Sequence, residues 1–194
     1  MKVLVTGGNR GLGAHLVQAL AADTVSRSTG LDITTQFREI AEMSLHYDVF
    51  VNNAFDGPPQ ESWANFAQSQ LYFAVYDQWQ QHNKQGYIFN IGSVGAKNIV
   101  APEPRFETYR VSKAALEHAS AQGTRAFKDG HVCFRTCLIN LDRLDTKLSR
   151  SRPTWTGNGI QLPDVENFIR FAVATHPNTV IEQITLYCNL NYTG

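Results

Sequence analysis

Short apolar runs alternate with longer, more polar stretches along the whole chain. The apolar runs are rich in Val, Ile and Phe and nearly continuous, which is typical of strands buried on both faces. The stretches between them have the composition of amphipathic helices. The predicted strands are 2–6, 24–28, 47–54, 86–93, 131–140 and 184–188, and the predicted helices are 11–22, 35–45, 61–83, a helix that contains YRVSK (109–113) and runs to 128, and 164–175.

This alternation predicts one α/β domain over 1–194, with a doubly wound parallel sheet of about six strands and helices on both faces. No repeat, low-complexity tract or linker interrupts the pattern. One long irregular segment, 149–163, is rich in Gly, Pro and polar residues. A segment of that length in a compact domain is usually a lid, a binding loop or a disordered stretch, and we expect a substrate lid or loop.

Composition and charge narrow the function classes. The 194 residues are 43% hydrophobic and have a formal net charge of zero, which gives no electrostatic footprint for nucleic acid or a membrane surface. No apolar run has the length of a membrane span, and the first one gives way to glycines too early for a signal peptide. The 3 cysteines and 6 histidines show no disulfide or metal-ligand spacing, so we expect a cytoplasmic protein without a metal.

The first predicted strand runs directly into a glycine-rich turn, TGGNRGLGAHL at 6–16. Gly7, Gly11 and Gly13 keep side chains out of a tight turn, so that backbone N–H groups and a helix N-terminus can approach a pyrophosphate. Glycines also serve turns that bind nothing. A buried strand before this turn and an amphipathic helix after it favour nucleotide binding.

Tyr109 and Lys113 lie four residues apart in a predicted helix, hence on one face. Chance spacing, with a packed tyrosine and a solvated lysine, would give the same pattern. Beside a cofactor, however, the ammonium group would favour the phenolate and lower the tyrosine pKa from its usual value of about 10. The pair is therefore a candidate for proton transfer.

These features together resemble the short-chain dehydrogenases/reductases. The spacing T-G-x-x-x-G-x-G, NNA at 52–54, Ser93 at the end of a strand, and Y-x-x-x-K with Ser112 before the lysine follow that family's order. The resemblance spans 2–188, as in a trimmed member of the family. It implies a Rossmann-like fold and an oxidoreductase that transfers a hydride between a nicotinamide cofactor and a small carbonyl or alcohol.

The resemblance also implies individual roles. Tyr109 would be the general acid/base, Lys113 would tune Tyr109 and hold the nicotinamide ribose, and Ser93 would bind the substrate oxygen. Ser93 taken alone could equally be a strand-end cap. The implied cofactor-binding residues are Gly7, Asn9, Arg10, Gly11, Leu12, Gly13, Arg27, Asp32, Asn53, Ala54, Tyr109, Lys113 and Thr146.

Two arginines bear on the choice of cofactor. Arg10 lies in the glycine turn and Arg27 at the end of the second predicted strand, and no Asp or Glu occurs over 24–30. A basic residue at this strand end suits the 2′-phosphate of NADP, whereas an acidic one would bind the ribose of NAD. We therefore expect NADP(H), although two solvated arginines would look the same. Asp32 resembles the family's aspartate near the adenine, but it could equally cap the next helix.

Several positions depart from the family pattern. Leu141-Asp142 stands where the family has Pro-Gly, although Thr146 falls where a threonine contacts the nicotinamide, and Phe55 stands where a small residue is expected. The family's catalytic asparagine is not evident, and Gln70 or Ser69 is the nearest candidate. The stretch between the second and third predicted strands is short, as if one helix–strand unit were missing.

The substrate pocket is expected to involve Val94, the loop near Pro102–Pro104 and the segment 149–163, where Arg150 or Arg152 would be available to a carboxylated substrate. The helix at 61–83 carries aromatic residues on more than one face. We expect it to form a homodimer, as in the relatives, unless the segment 149–163 covers its second face. These aromatic residues are Trp63, Phe66, Tyr72, Phe73, Tyr76 and Trp79.

Three functions remain open at this stage. The Ser93–Tyr109–Lys113 set favours an NADP(H)-dependent oxidoreductase. The altered positions favour an NADP(H)-binding redox sensor that does not turn over. A sugar-nucleotide epimerase or reductase is disfavoured by the glycine spacing and by the short chain after Lys113.

Overall fold

The computed structural model describes residues 1–55, 64–97, 107–153, 155 and 157–189. Its strands are β1 (Val3–Thr6), β2 (Asp23–Val25), β3 (Val49–Asn52), β4 (Gly86–Ile91), β5 (Phe134–Leu141) and β6 (Gln183–Leu186). Its α-helices are α1 (Gly11–Ala19), α2 (Phe37–Ser44), α3 (Ala67–Gln81), α4 (Glu107–Lys128), α5 (Lys147–Arg150) and α6 (Leu162–Ala174). Short 3₁₀ helices cover Arg27–Thr29, Ala64–Phe66 and Val94–Lys97.

The strands form one parallel sheet in the order β2-β1-β3-β4-β5-β6. This arrangement confirms the predicted α/β fold with a doubly wound sheet. The chain leaves β1 towards β2 on one side and returns through α2 to β3 on the other, so the strand order reverses at β1. In such sheets, ligands bind at the carboxyl ends of the strands beside this reversal. The common dinucleotide-binding sheet has one further strand outside the equivalent of β2. The described residues form no such strand, in agreement with the short stretch of sequence between β2 and β3.

Alternate residues along the strands supply two cores. Val3 and Val5 of β1 pack on one face of the sheet with α1 and α6, whereas Leu4 packs on the other face with α2, α3 and α4. The central strands are therefore apolar on both sides, which explains their continuous apolar sequences.

The long helix is shorter in its described part than the prediction, and most of its aromatic residues are core residues. Tyr72 and Trp79 are fully buried, and the ring centroids of Tyr76 and Trp79 lie 5.1 Å and 5.5 Å from that of Phe134. Among the described aromatic residues of this stretch, Phe73 alone is classed as exposed, at 49%. Trp63 lies outside the described residues. No helix within the described ranges is both long and apolar enough to cross a bilayer.

Candidate active site

The glycine turn joins β1 to α1 in a backbone conformation that requires glycine. Gly7 and Gly11 have φ angles of +73° and +55°, which side chains disfavour. A Cβ on Gly13 would collide with the carbonyl oxygen of Gly7 and lie 2.7 Å from Asn53 Nδ2. Arg10, the N-cap of α1, makes no side-chain capping hydrogen bond. The first N–H groups of α1 are therefore available to an anion at the turn.

Thr6 ties the glycine turn to the end of β3. Its Oγ1 accepts hydrogen bonds from the backbone N–H groups of Asn53 (2.9 Å) and Ala54 (2.8 Å). The Asn53 side chain donates from Nδ2 to the Thr6 carbonyl oxygen at 2.8 Å. The carboxyl ends of β1 and β3 are thus held together at the reversal of strand order.

A cleft of ≈ 450 Å³ opens at this junction. Seven predicted cofactor residues line it, namely Gly7, Asn9 and Arg10 from the turn, Arg27 and Asp32 from beyond β2, and Asn53 and Ala54 from the end of β3. Sequence reasoning did not single out Ser26, Leu31 and Ile33, which also line this cleft. Ser26 donates to Asn9 Oδ1 at 3.1 Å, so it links the turn to the β2 side.

The other predicted cofactor residues have different surroundings. Leu12 is buried in the core beneath α1, so its side chain supports the turn from below. A Cβ on Gly11 would lie 3.6 Å from Thr146 Cγ2, which brings the segment after β5 close to the turn. The Thr146 hydroxyl caps α5 by accepting a hydrogen bond from Ser149 N–H at 3.1 Å.

Arg27 and Asp32 face each other across one side of the cleft, with Nε 3.9 Å from Oδ2. Arg27 lies beyond the end of β2 and starts a 3₁₀ helix, whereas the sequence predicted it at the strand end. Asp32 Oδ1 accepts hydrogen bonds from Thr34 N–H (2.8 Å) and Thr34 Oγ1 (2.7 Å). These bonds, and to a lesser degree the charge of Arg27, hold the pKa of Asp32 below its usual value. Asp32 is not the cap of α2 that the sequence left open as an alternative, because the N-cap of that helix is Gln36. Its carboxylate instead stabilises the turn at Thr34, before the helix begins.

Ser93 and Tyr109 meet beyond the end of β4. The two side chains are neighbours, since a Cβ placed on Gly95 would lie 3.2 Å from Ser93 Oγ and 3.7 Å from Tyr109 Cε1. Burial raises the pKa of Tyr109 above its usual value, and the Ser93 hydroxyl and the charge of Arg152 offset only part of that rise. The predicted lowering of this pKa by Lys113 is therefore wrong, because desolvation of the phenol outweighs the favourable charges.

Lys113 is close to Tyr109, but its amino group forms hydrogen bonds to other residues. Its Nζ donates to Gln68 Oε1 at 2.6 Å and to the Ile91 carbonyl oxygen at 2.9 Å. Only 4% of the residue is exposed, and burial lowers the pKa of Lys113 to about 7. The centroid of the Tyr109 ring lies 5.8 Å from Nζ, and that of Phe55 lies 5.1 Å from it. The predicted pair is thus brought together, with a phenyl ring beside both partners.

The segment after β5 is held together by two internal contacts. Asp145 accepts hydrogen bonds from Arg150 Nε (2.6 Å) and Nη2 (2.9 Å) in a bidentate pair. Ile160 is buried, and its N–H donates to the Arg143 carbonyl oxygen at 2.8 Å. Arg150 is thus neutralised locally, while the charge of Arg152 acts on Tyr109. The predicted pocket loop near Pro102–Pro104 lies outside the described residues.

Solved structures match this architecture along nearly the whole chain. A β-ketoacyl-[ACP] reductase from Bacteroides thetaiotaomicron is similar over 97% of this chain and 97% of its own, with 21% identity and a TM-score of 0.73. A 3-ketoacyl-(acyl-carrier-protein) reductase from Brucella melitensis, complexed with NADH, matches 95% of each chain at 16% identity and a TM-score of 0.73. A short-chain dehydrogenase from Burkholderia cenocepacia, in complex with NADP, matches 96% of this chain and 87% of its own at 22% identity and 0.68.

The chain has the short-chain dehydrogenase fold. No protein-family model matches the sequence, and the comparison with curated proteins gave no match. The likeness is therefore one of architecture, at sequence identities of 16–22%.

Gln68 is a further site residue that sequence reasoning missed. The candidates for the family's asparagine were Gln70, which is exposed, and Ser69, which donates to the Ser112 carbonyl oxygen at 3.5 Å. Gln68 instead contacts Lys113. It shares the buried face of α3 with Tyr72, and a polar residue at that helical spacing is the signal that would have identified it.

Proposed function

We propose that this protein is an NADP(H)-dependent oxidoreductase of the short-chain dehydrogenase/reductase type, which reduces a small carbonyl compound or oxidises the corresponding alcohol. One observation carries the proposal. The neighbouring hydroxyl groups of Ser93 and Tyr109 lie beside Lys113, on the same edge of the sheet as the cleft at the glycine turn. Two hydroxyl groups that can donate to a substrate oxygen next to a dinucleotide site provide what carbonyl reduction needs from a protein.

The residues at the cleft fit a dinucleotide. The glycine turn excludes side chains where Gly13 and Gly7 are in contact, and the uncapped start of α1 offers N–H groups to a pyrophosphate. The bound nicotinamide would supply or accept the hydride, and the protein orients it and manages the proton. Arg10 and Arg27 would bind the phosphates, and Thr146 would approach the nicotinamide end of the cofactor.

The proton would move between Tyr109 and the substrate oxygen. Ser93 would donate its hydroxyl proton in a hydrogen bond to that oxygen, where negative charge develops during reduction. The raised pKa of Tyr109 keeps the phenol protonated at neutral pH, which is the form that a carbonyl reduction consumes.

The preference for NADP(H) over NAD(H) rests on charge. Arg10 and Arg27 line the cleft, and 24–30 contains no acidic residue. The carboxylate of Asp32 is engaged by Thr34 and Arg27, which makes it a poor acceptor for ribose hydroxyls. A cleft lined by two arginines, with a carboxylate that already has hydrogen-bond and charge partners, suits a 2′-phosphate.

The contact of Phe55 with Tyr109 favours one alternative. A ring that covers the tyrosine would suit a redox sensor that binds NADP(H) without turnover.

A homodimer through α3, on which Phe73 is exposed, and a cytoplasmic location remain predictions.

Titration with NADPH and, separately, with NADH tests the proposal through quenching of tryptophan fluorescence. We expect NADPH to bind at least about tenfold more tightly, because an ion pair to the 2′-phosphate adds about 1.5–3 kcal/mol. A carbonyl screen with NADPH then separates the enzyme from the sensor. If neither nucleotide binds, both the oxidoreductase and the redox sensor are rejected.

A further inference from the structure

A buried polar network lies beneath Lys113 and is centred on Gln68. Gln68 is 2% exposed and stands at the start of α3. Its Oε1 accepts the hydrogen bond from Lys113 Nζ at 2.6 Å. Lys113 Nζ also donates to the carbonyl oxygen of Ile91, the last residue of β4.

The orientation of the Gln68 amide is fixed by its other partners. Nε2 donates to the carbonyl oxygens of Asn52 (2.6 Å) and Ile91 (3.1 Å). Carbonyl oxygens accept and never donate, so the amide nitrogen must face them. The amide oxygen is therefore left to face Lys113, and a rotated amide would lose all of these bonds.

The main chain of Gln68 is fixed as well. Asn52 Nδ2 donates to the Gln68 carbonyl oxygen at 3.0 Å and to Asn90 Oδ1 at 2.9 Å. Asn90 Nδ2 in turn donates to Ser120 Oγ on α4 at 3.3 Å. The network thus connects α3, β3, β4 and α4 under the lysine, and little freedom remains for the Gln68 side chain.

Two acceptors suit both protonation states of Lys113. A neutral amine has two N–H groups, and Gln68 Oε1 and the Ile91 carbonyl oxygen satisfy both. The ammonium form has a third N–H, which finds no hydrogen-bond acceptor within the described ranges. The rings of Phe55 and Tyr109 are beside Nζ at 5.1 Å and 5.8 Å. The third N–H of Lys113 is thus available to a ligand that binds at the carboxyl edge of the sheet.

We propose that Gln68 is a positioning residue for Lys113: its fixed amide holds Nζ in place and presents a neutral acceptor where a carboxylate would keep the lysine charged. The contribution to turnover rests on the proposed function, whereas the effect on Lys113 itself does not. A carboxylate at position 68 would raise the pKa of Lys113 by about 1–3 units, since opposite charges within hydrogen-bonding distance favour the charged form.

The test is an NMR titration of the whole protein labelled with ¹³C at lysine Cε. The Lys113 resonance is identified by its loss in Lys113→Met. We expect Gln68→Glu to raise the titration midpoint of Lys113 by at least about one pH unit. Gln70→Glu is the matched control, because it makes the same chemical change two positions away on an exposed residue. It is expected to leave the midpoint unchanged.

An unchanged midpoint in a folded Gln68→Glu protein would overturn the proposal, as would an equal shift in Gln70→Glu. Gln68→Met serves if the glutamate variant does not fold; removal of one acceptor should lower the midpoint, and no shift again counts against the proposal. If the protein shows NADPH-dependent turnover, the pH profile of the turnover rate in Gln68→Glu should shift in the same direction as the titration midpoint of Lys113. A shifted midpoint in a protein that never turns over would sustain the positioning role and reject only the proposed function.

Discussion

The ring of Phe55 meets the ring of Tyr109 edge to face, with centroids 5.0 Å apart and planes at 90°. The same phenyl ring lies 5.1 Å from the Nζ of Lys113 and lines the cleft at the glycine turn. Phe55 therefore lies where the cleft proposed for the nucleotide meets the proposed catalytic residues. A nucleotide that reaches Tyr109 must pass or displace this ring.

We expect Phe55→Ala to bind NADPH about 3–10-fold more tightly, because no ring then has to be displaced from an aromatic contact worth about 0.5–1.5 kcal/mol. The same contact is lost from the free protein, so its free energy of unfolding should fall by a similar amount. Fluorescence titration and urea unfolding measure the two quantities. Phe73→Ala removes an exposed ring of the same size from α3 and is the control. Weaker NADPH binding in Phe55→Ala would mean that the ring supports the cofactor instead of obstructing it.

Arg27→Asp should reverse the charge beside the proposed 2′-phosphate. NADPH affinity is expected to fall about 10–100-fold, as the loss of a charge-assisted bond of about 1.5–3 kcal/mol implies, while NADH affinity stays level or rises. Arg38→Asp makes the same change on an exposed residue of α2. Equal losses for both nucleotides, or the same loss in Arg38→Asp, would reject the phosphate assignment.

Tyr109→Phe removes the proposed proton donor and preserves the ring that packs on Phe55. Turnover with a carbonyl substrate should fall at least about 100-fold, the usual contribution of a general acid, while NADPH binding stays within about twofold. Steady-state rates and fluorescence titration give the two values. Tyr76→Phe is the control, because Tyr76 packs against Phe134 away from the sheet edge. Full activity in Tyr109→Phe would remove Tyr109 from the mechanism.

Lys113 should make the stability of the protein depend on pH. Its pKa is about 7 in the folded state, against about 10.4 for a free lysine, so between these values the unfolded chain binds more protons. Stability therefore rises with pH in this window, and the cost of burying the charge is full below it. We expect the free energy of unfolding to increase by about 1–3 kcal/mol between pH 6 and about pH 9, relative to Lys113→Met.

Urea unfolding of both proteins across this pH range provides the measurement. Lys128→Met removes an exposed lysine from the end of the same helix and should retain the pH dependence. A wild-type curve parallel to that of Lys113→Met would show that Lys113 stays charged in the folded protein.

The sequence predicted the sheet because buried parallel strands need apolar side chains on both faces, as in Val3, Leu4 and Val5. It also predicted much of the cleft, because the ends of neighbouring parallel strands must meet at one edge. Strand ends were less accurate. The polar residues after Val25 satisfy their own backbone in a capped 3₁₀ turn, in which Ser26 and Thr29 bond to each other's backbone, so β2 stops before Arg27.

Two properties of the site depended on tertiary packing. The direction of the Tyr109 pKa shift is decided by burial, which outweighs the charges near the phenol. Gln68 is adjacent to Lys113 only because α3 and α4 pack side by side, over 45 residues of sequence separation. Local spacing identified the Tyr109–Lys113 pair, but it carried no information on what lies beneath the lysine.

The sheet ends at β2, a strand of three residues, and the rim beyond it holds Arg27 with 66% of its side chain exposed. Mobile ions reach such a charge freely, with a screening length of about 10 Å at 0.1 M salt, but they do not reach the enclosed amine of Lys113. Ionic strength should therefore affect the charge of Arg27 more strongly than that of Lys113. Rising salt should therefore weaken the proposed binding of a cofactor phosphate at Arg27 more than it affects the buried pair of Tyr109 and Lys113.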